Sequence, residues 1–179
     1  MSEDPAPARA GSADADRAIR YDLLKSVVAR YDSYYNLAAV KASLLLTSNA
    51  IFLAPSLGEK SPWLSFAEAG GAARALVAAS MLLSLVSMIG AAIVIASWLS
   101  NRGGSMRPDS LVFSESVARM SADDYAAQVD ALTPDAAIDD LARLAHLMAS
   151  NLTLKFVCIN VSLAALVAAV VCACVATVA

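Results

Sequence analysis

Three long runs of apolar residues constrain this fold more than any other feature. None of the runs contains more than one charged residue. Residues 75–101 hold no charge between Arg74 and Arg102, and as a helix they would measure about 40 Å, more than the roughly 30 Å of a hydrocarbon core. Residues 156–179, which follow Lys155, are also uncharged and long enough to cross with some tilt. Both runs predict transmembrane helices.

The first run, residues 37–57, is the weakest of the three. It contains Lys41, Asn49 and Pro55, so its uncharged part is only about 17 residues, the lower limit for a span. The short Pro-, Gly- and Ser-containing segment 56–71 is typical of a turn at the membrane surface and favours a transmembrane hairpin over residues 37–101. The alternative is one span with a buried helix beside it.

Composition and charge support a lipid environment. Charged residues make up 16% of the chain, against roughly 25% in globular proteins, and they lie between the apolar runs. The net charge is -3 and no basic patch with interleaved aromatic residues occurs, so nucleic acid is not an expected partner. Cys158, Cys172 and Cys174 lie in the last run without neighbours at ligand spacing, and we interpret them as small apolar side chains.

Basic residues flanking the runs predict the orientation in the membrane. Most of them lie before or at the start of the first run, or between the second and third. They are Arg17, Arg20, Lys25, Arg30 and Lys41 in the first group, and Arg102, Arg107, Arg119, Arg143 and Lys155 in the second. Because positive residues concentrate on the cytoplasmic side, we expect the N-terminus and residues 102–155 to be cytoplasmic.

The segments outside the membrane are predicted to be helical. Residues 1–16 have a disordered composition, whereas residues 17–36 carry apolar side chains every three to four positions and form a cytoplasmic amphipathic helix that leads into the first span. Ser121 with Asp124 indicates a capping box, and Thr133 followed by Pro134 indicates the start of a second long helix that continues into the third span. The expected fold is all-α: an integral membrane bundle of three transmembrane helices with long cytoplasmic extensions.

No catalytic or metal-binding pattern is present in the sequence. The only histidine, His146, has no nucleophile or second histidine at a suitable spacing, and a packing or surface role competes with a ligand-binding or pH-sensing role. The acidic pairs at 123–124 and 139–140 are typical of helix capping and solvation. We therefore expect neither an enzyme nor a metal site nor a bound cofactor.

Cations recur at the inner end of each apolar run. Lys41, Arg102 and Lys155 would lie at a similar depth, where they extend toward lipid headgroups or, alternatively, face inward and bind an anion such as a nucleotide phosphate. With His146, these three are the candidate ligand-binding residues.

Polar side chains also occur deeper within the runs. Asn49 lies about 12 Å beyond Lys41 and Asn160 about 7 Å beyond Lys155, and such amides must hydrogen-bond across helices or subunits, or line a wet pathway. Ser84 and Ser87, with Ser80 and Gly90, are small residues at helical spacing that allow helices to approach closely.

With these segments assigned, the sequence resembles the transmembrane effector family of the Pycsar antiphage system over about residues 31–166. The resemblance rests on three features: the pair Lys41-Ala42 with Asn49 downstream, the segment VFSESVARMSADDYAAQV at 112–129, and His146 followed by Lys155. It implies an effector whose activating ligand is cyclic CMP or cyclic UMP, made by a partner pyrimidine cyclase, and which impairs the inner membrane in abortive infection.

The cytoplasmic helices predict further packing and leave a second function open. Two helices with apolar stripes cannot stay bare in water, so we expect them to pack on each other, on the short helix near Tyr125, or on other copies of the chain in a homo-oligomer. The rival is a small, non-conducting membrane scaffold that anchors a partner through its cytoplasmic helices.

Overall fold

The computed structural model of the chain describes residues 7–57, 71–96 and 110–178, with side chains at all of these positions except 7–13, 56, 57 and 115. Within these ranges the protein is all-α and contains no strand, as predicted. The helices, in chain order, are α1 (Pro7–Leu53), a 3-10 turn (Ala54–Leu57), α2 (Gly71–Ile95), α3 (Ser114–Ala118), α4 (Ala122–Asp130) and α5 (Pro134–Ala176).

Among the described residues, three helical segments are long and apolar enough to cross a membrane. They are Asp14–Leu53, Gly71–Ile95 and Pro134–Ala176, and their most apolar windows have mean hydropathies of 1.4, 2.3 and 2.5. The α-helical part of the first ends at Leu53, because Pro55 lacks an N–H and disfavours helical geometry in the residue before it. Part of the predicted surface turn, residues 58–70, and the end of the second predicted span, residues 97–101, lie outside the described residues.

The first helix begins earlier than the sequence analysis placed it. α1 starts at Pro7, inside the segment 1–16 whose composition suggested disorder. Pro7 occupies the first helical position, where its missing N–H has no intrahelical partner to lose, and the alanines that follow have the highest helix propensity of any residue. The predicted boundary between a tail and a helix therefore does not fall at residue 16.

The starts of α4 and α5 follow the predicted capping chemistry. Ser121 Oγ accepts a hydrogen bond from the Asp124 N–H at 3.1 Å, and Thr133 Oγ1 accepts one from the Ala136 N–H at 3.3 Å. Each bond satisfies an N–H that the first helical turn leaves without a backbone acceptor.

The chain divides into two compact units. The first, here called the stalk unit, is formed by Met1–Tyr34 with Gly103–Leu152, and the second, the membrane unit, by Tyr35–Arg102 with Thr153–Ala179. Both α1 and α5 contribute residues to each unit, α2 belongs to the membrane unit, and α3 and α4 belong to the stalk unit.

Small and branched side chains form the core of the membrane unit. They come from all three of its helices: Ala38, Ala42 and Leu45 of α1, Ala91 and Val94 of α2, and Ile159 of α5. Gly90 of α2 lies directly against Ser162 of α5, where a Cβ atom on residue 90 would collide with the serine hydroxyl. Small residues allow the close backbone approach that stabilises helix packing in lipid.

Candidate functional site in the membrane unit

A buried amide joins α1 to α2 through two serine hydroxyls. Asn49 Nδ2 donates to Ser87 Oγ at 2.9 Å, and Ser84 Oγ donates to Asn49 Oδ1 at 2.7 Å. Asn49 Nδ2 also donates to the Leu45 carbonyl oxygen of its own helix at 2.8 Å. All three polar side chains are fully buried. The amide thus uses its donors and its acceptor, which is what a polar group at hydrocarbon depth requires.

Helical periodicity positions this cluster. Ser84 and Ser87 are three residues apart, so their side chains lie on one face of α2, and Asn49 presents its amide to both. Interhelical hydrogen bonds of this kind contribute on the order of 0.6–2 kcal/mol each in membrane proteins. We call Asn49, Ser84 and Ser87 the amide cluster.

Two further buried hydroxyls lie in the same unit. Ser80 Oγ donates to the Val77 carbonyl oxygen of its own helix at 2.9 Å. Ser162 is fully buried, and its hydroxyl has no hydrogen-bond partner within the described part of the chain. The sequence analysis did not select Ser162, because a single serine in an apolar run does not indicate which side of the helix packs.

Lys155 interacts with the C-terminal end of α2. Its Nζ donates to the Val94 carbonyl oxygen at 2.9 Å and lies 5.0 Å from the centre of the Tyr35 ring. The last carbonyls of a helix have no intrahelical N–H partner and carry the negative end of the helix dipole, so a cation there is stabilising. Lys155 belongs to α5, and it contacts α2 through the Val94 carbonyl oxygen and α1 through the Tyr35 ring. It therefore links all three helices of the membrane unit.

The other candidate ligand-binding residues are differently placed. Lys41 is exposed, and its Nζ lies 5.7 Å from the centre of the Phe156 ring. His146 is an exposed residue of the stalk unit, and Arg102 lies outside the described residues. Within the described residues, Lys41 and Lys155 are thus the two predicted cations of the membrane unit, each over an aromatic ring.

The two predicted intramembrane amides have different environments. Asn49 is buried in the amide cluster, whereas Asn160 is exposed on α5. Asn49 lies about 12 Å beyond Lys41 and Asn160 about 7 Å beyond Lys155, and these depths did not indicate which amide faces another helix.

In the stalk unit, Asp140 attaches the chain that enters α3 to helix α5. Its Oδ1 accepts from Ser110 Oγ at 2.8 Å and its Oδ2 accepts from the Leu111 N–H at 2.9 Å. The neighbouring Asp139 instead pairs with Arg143 on the helix surface at 2.9 Å. The prediction of capping and solvation for this acidic pair was therefore incomplete, because it did not include the Asp140 contact with residues distant in sequence.

A cavity of about 340 Å³ lies between α1 and α5 in the stalk unit. Its walls combine apolar groups with the Tyr21 ring and with Arg17, which pairs with Asp14 at 3.1 Å and with Asp135 at 3.0 Å. This volume falls at the lower end of the range of small-molecule sites. A second stalk cavity, beside Asp140, measures about 140 Å³, which is below that range.

The residues that the structure describes hold no cluster of three or more metal-binding side chains, and their cysteines are unpaired thiols. The chemistry of the described site is hydrogen bonding and cation placement inside an apolar bundle.

Three spanning helices with a buried amide cluster define a multi-pass helical membrane protein. The chain matches the family model described as the Pycsar effector protein domain, PycTM, over residues 23–179, and it belongs to that family of antiphage defence effectors. The match extends beyond both ends of the resemblance noted from the sequence, and it covers all three spans. Comparison with curated proteins and with solved structures found no match.

Proposed function

We propose that this protein is the membrane-acting component of a cyclic-nucleotide defence pathway. It binds cyclic CMP or cyclic UMP made by a partner pyrimidine cyclase after phage infection, and it then impairs the inner membrane so that the infected cell stops growing. The observation that carries the proposal is the Pycsar effector match over residues 23–179 in a chain with three spanning helices.

The amide cluster supports the membrane part of the proposal. An apolar contact has nothing to exchange with water, whereas an amide and two hydroxyls can replace their mutual hydrogen bonds by bonds to water molecules. Asn49, Ser84 and Ser87 are therefore the place in the membrane unit where entering water could offset the cost of separating α1 from α2 and would leave a wet surface.

The continuity of two helices supports the signalling part. α1 and α5 each contribute to the stalk unit and to the membrane unit without an intervening break. A ligand can shift an equilibrium between two packings only by binding one of them more tightly. A nucleotide bound to the stalk segments of α1 and α5 would shift the equilibrium between two packings of these helices, and the same two helices continue into the membrane unit.

The experiment that tests the proposal compares two forms of the cognate cyclase. We expect co-expression of this protein with active cyclase to depolarise the inner membrane, as measured with a potential-sensitive dye, and co-expression with catalytically inactive cyclase to leave it polarised. The purified protein should bind cyclic CMP or cyclic UMP in a direct titration, with cyclic AMP as the control. An unchanged potential with active cyclase would contradict the proposal and would favour the scaffold function.

The α1–α5 cavity is the first place to test for nucleotide recognition. Tyr21 offers a ring on which a pyrimidine can stack, worth about 1–3 kcal/mol per base. Arg17 can offer a phosphate its Nη2 group, which takes no part in its pairs with Asp14 and Asp135. We expect Tyr21→Ala to weaken nucleotide binding about tenfold, in line with that stacking energy. Tyr34→Ala is the matched control, because Tyr34 is equally exposed on the same helix and does not line the cavity. Equal affinities for the two variants would exclude this cavity as the site.

A further inference from the structure

One side of α5 in the membrane unit packs on the other helices, and the opposite side is exposed. The packed side includes Ile159, Ser162, Ala169 and Ala173, all of them buried. On the opposite side, exposed residues recur at alternating steps of four and three positions. They are Val157, Asn160, Ala164, Val167, Val171, Cys174 and Val178, here called the Asn160 stripe.

Asn160 makes this stripe unsuitable as a permanent lipid-facing surface. Exposed valines suit acyl chains, but an amide about 7 Å beyond Lys155 would face hydrocarbon with its donors and acceptor unused. Among the described residues, the Asn160 side chain has no hydrogen-bond partner. Exposed hydroxyls of α1 avoid this problem, since Ser43 and Thr47 donate to the carbonyl oxygens of Ala39 and Ser43 in their own helix.

The spacing of the stripe is that of a helix–helix seam. Alternating steps of three and four residues form a heptad pattern, in which each side chain inserts between four residues of a facing helix. β-Branched valines form most of the seam, and Ala164, one turn beyond Asn160, permits close approach of a neighbouring backbone. A single asparagine in such a seam fixes the register and the number of helices.

We propose that the Asn160 stripe is the interface through which copies of this protein associate in the membrane. The occupant is a second copy because an amide is both donor and acceptor, so Asn160 can satisfy Asn160 of an identical helix in a symmetric contact. The stripe carries no charge that would select a charged partner helix.

Disulfide cross-linking in native membranes locates the interface. In the full chain with Cys158, Cys172 and Cys174 replaced by alanine, Val167→Cys lies about 20° around the helix from Asn160 and should cross-link to a second copy under mild oxidation. Val161→Cys is the matched control, because both valines are 55% exposed but position 161 lies about 100° from Asn160. Only the Val167→Cys chain should run as a covalent dimer.

Energy transfer between donor- and acceptor-labelled full-length chains in lipid vesicles measures the contribution of the amide. Asn160→Leu should raise the dissociation constant between about threefold and thirtyfold, the range expected for one interhelical polar contact, and Asn160→Gln should restore most of the affinity. Thr47→Val, which removes an exposed polar side chain at similar depth on α1, should leave the affinity unchanged.

Three results would overturn the interface: equal cross-linking at positions 161 and 167, a cross-link to a different protein, or an unchanged dissociation constant for Asn160→Leu. Equal cross-linking at both positions would mean that the stripe faces lipid and that chains meet by random collision. A cross-link to a different protein would mean that the stripe binds a heterologous partner. No nucleotide or cyclase is present in either experiment, so failure of the interface leaves the proposed signalling function standing.

Discussion

At the scale of single residues, Asn49 is the side chain whose chemistry is most constrained by its surroundings. Replacing it by leucine, which has a similar shape, removes the interhelical partner of two buried hydroxyls. Ser84 and Ser87 can then turn to carbonyl oxygens of their own helix, so the loss should be moderate.

We expect Asn49→Leu to lower the free energy of unfolding by about 1–3 kcal/mol and to reduce the cyclase-dependent loss of membrane potential. Thermal unfolding in detergent measures the first effect, and dye fluorescence in cells measures the second. Thr47→Val is the control, because its hydroxyl bonds only to Ser43 within α1. If Asn49→Leu depolarised membranes as strongly as the natural chain, the amide cluster would have no part in the mechanism.

Lys155 leads to a second prediction at this scale. Lys155→Met removes the donor to the Val94 carbonyl oxygen at the end of α2 and should destabilise the protein by about 1.5–3 kcal/mol, the value of a hydrogen bond with one charged partner. Lys41→Met should cost less, about 0.5–1 kcal/mol, since its described contact is with the face of the Phe156 ring. Melting temperatures of the two variants, measured in one detergent, test this order, and equal losses would contradict it.

The sequence predicted part of this residue-level picture. The depth of Asn49 indicated hydrogen bonding across helices or subunits, or a wet pathway, and the spacing of Ser84 and Ser87 indicated close helix approach. The structure brings these three side chains together in hydrogen bonds that the spacing of the serines did not predict. The partner of Lys155 could not be predicted, because a backbone carbonyl has no identity in the sequence. The outward position of Asn160 also required the structure, since the runs are apolar on all sides and the rotation of α5 about its axis cannot be read from them.

At the scale of elements, caps and breakers set most of the helix ends. Ser121, Thr133 and Pro55 have the effects that their residue types predict. The start of α1 was assigned to a disordered tail because its composition is rich in Ala, Pro, Asp and Ser, and the helix propensity of its alanines was not weighed separately. Helix α3 was not predicted as a separate element. Its N-cap residue is Phe113, which makes no side-chain capping bond, so its start has no sequence signature.

Asp140 leads to the prediction at this scale. Asp140→Asn retains the size of the side chain but weakens its hold on Ser110 and Leu111, and we expect faster amide hydrogen exchange over residues 110–118. The control is Asp139→Asn, which breaks only the surface pair with Arg143, worth about 0.3–0.5 kcal/mol, and should leave exchange in this segment unchanged. Equal exchange in both variants would show that Asp140 does not anchor the segment.

At the scale of the whole molecule, the distribution of basic residues leads to a topology that can be measured. With three spans, a cytoplasmic N-terminus would place the C-terminus on the opposite side of the membrane. We expect alkaline phosphatase fused after Ala179 to be active and green fluorescent protein fused there to be dark. The same reporters fused between residues 102 and 109 should give the reverse pattern.

A fluorescent C-terminal fusion would mean either three crossings in the reverse orientation or a run that does not cross. The fusions between residues 102 and 109 separate these two cases, because the ion pair between Arg17 and Asp135 requires both residues to lie on the same side of the membrane. Active alkaline phosphatase at residues 102–109 would indicate the reverse orientation, and green fluorescence there would indicate that residues 156–179 do not cross. The class of protein would be unchanged in either case.

The contact between Gly90 and Ser162 has a consequence for how this family can vary. A Cβ atom at residue 90 would collide with the Ser162 hydroxyl oxygen but would be in ordinary contact with the Ser162 Cβ and the Cys158 carbonyl oxygen, so alanine there requires that hydroxyl to rotate. A side chain larger than that of alanine has no comparable relief at position 90 and should act as a wedge between two helices that now touch. A variant whose helices are separated at that point would show whether loosened helix packing is by itself enough to permeabilise a bacterial membrane.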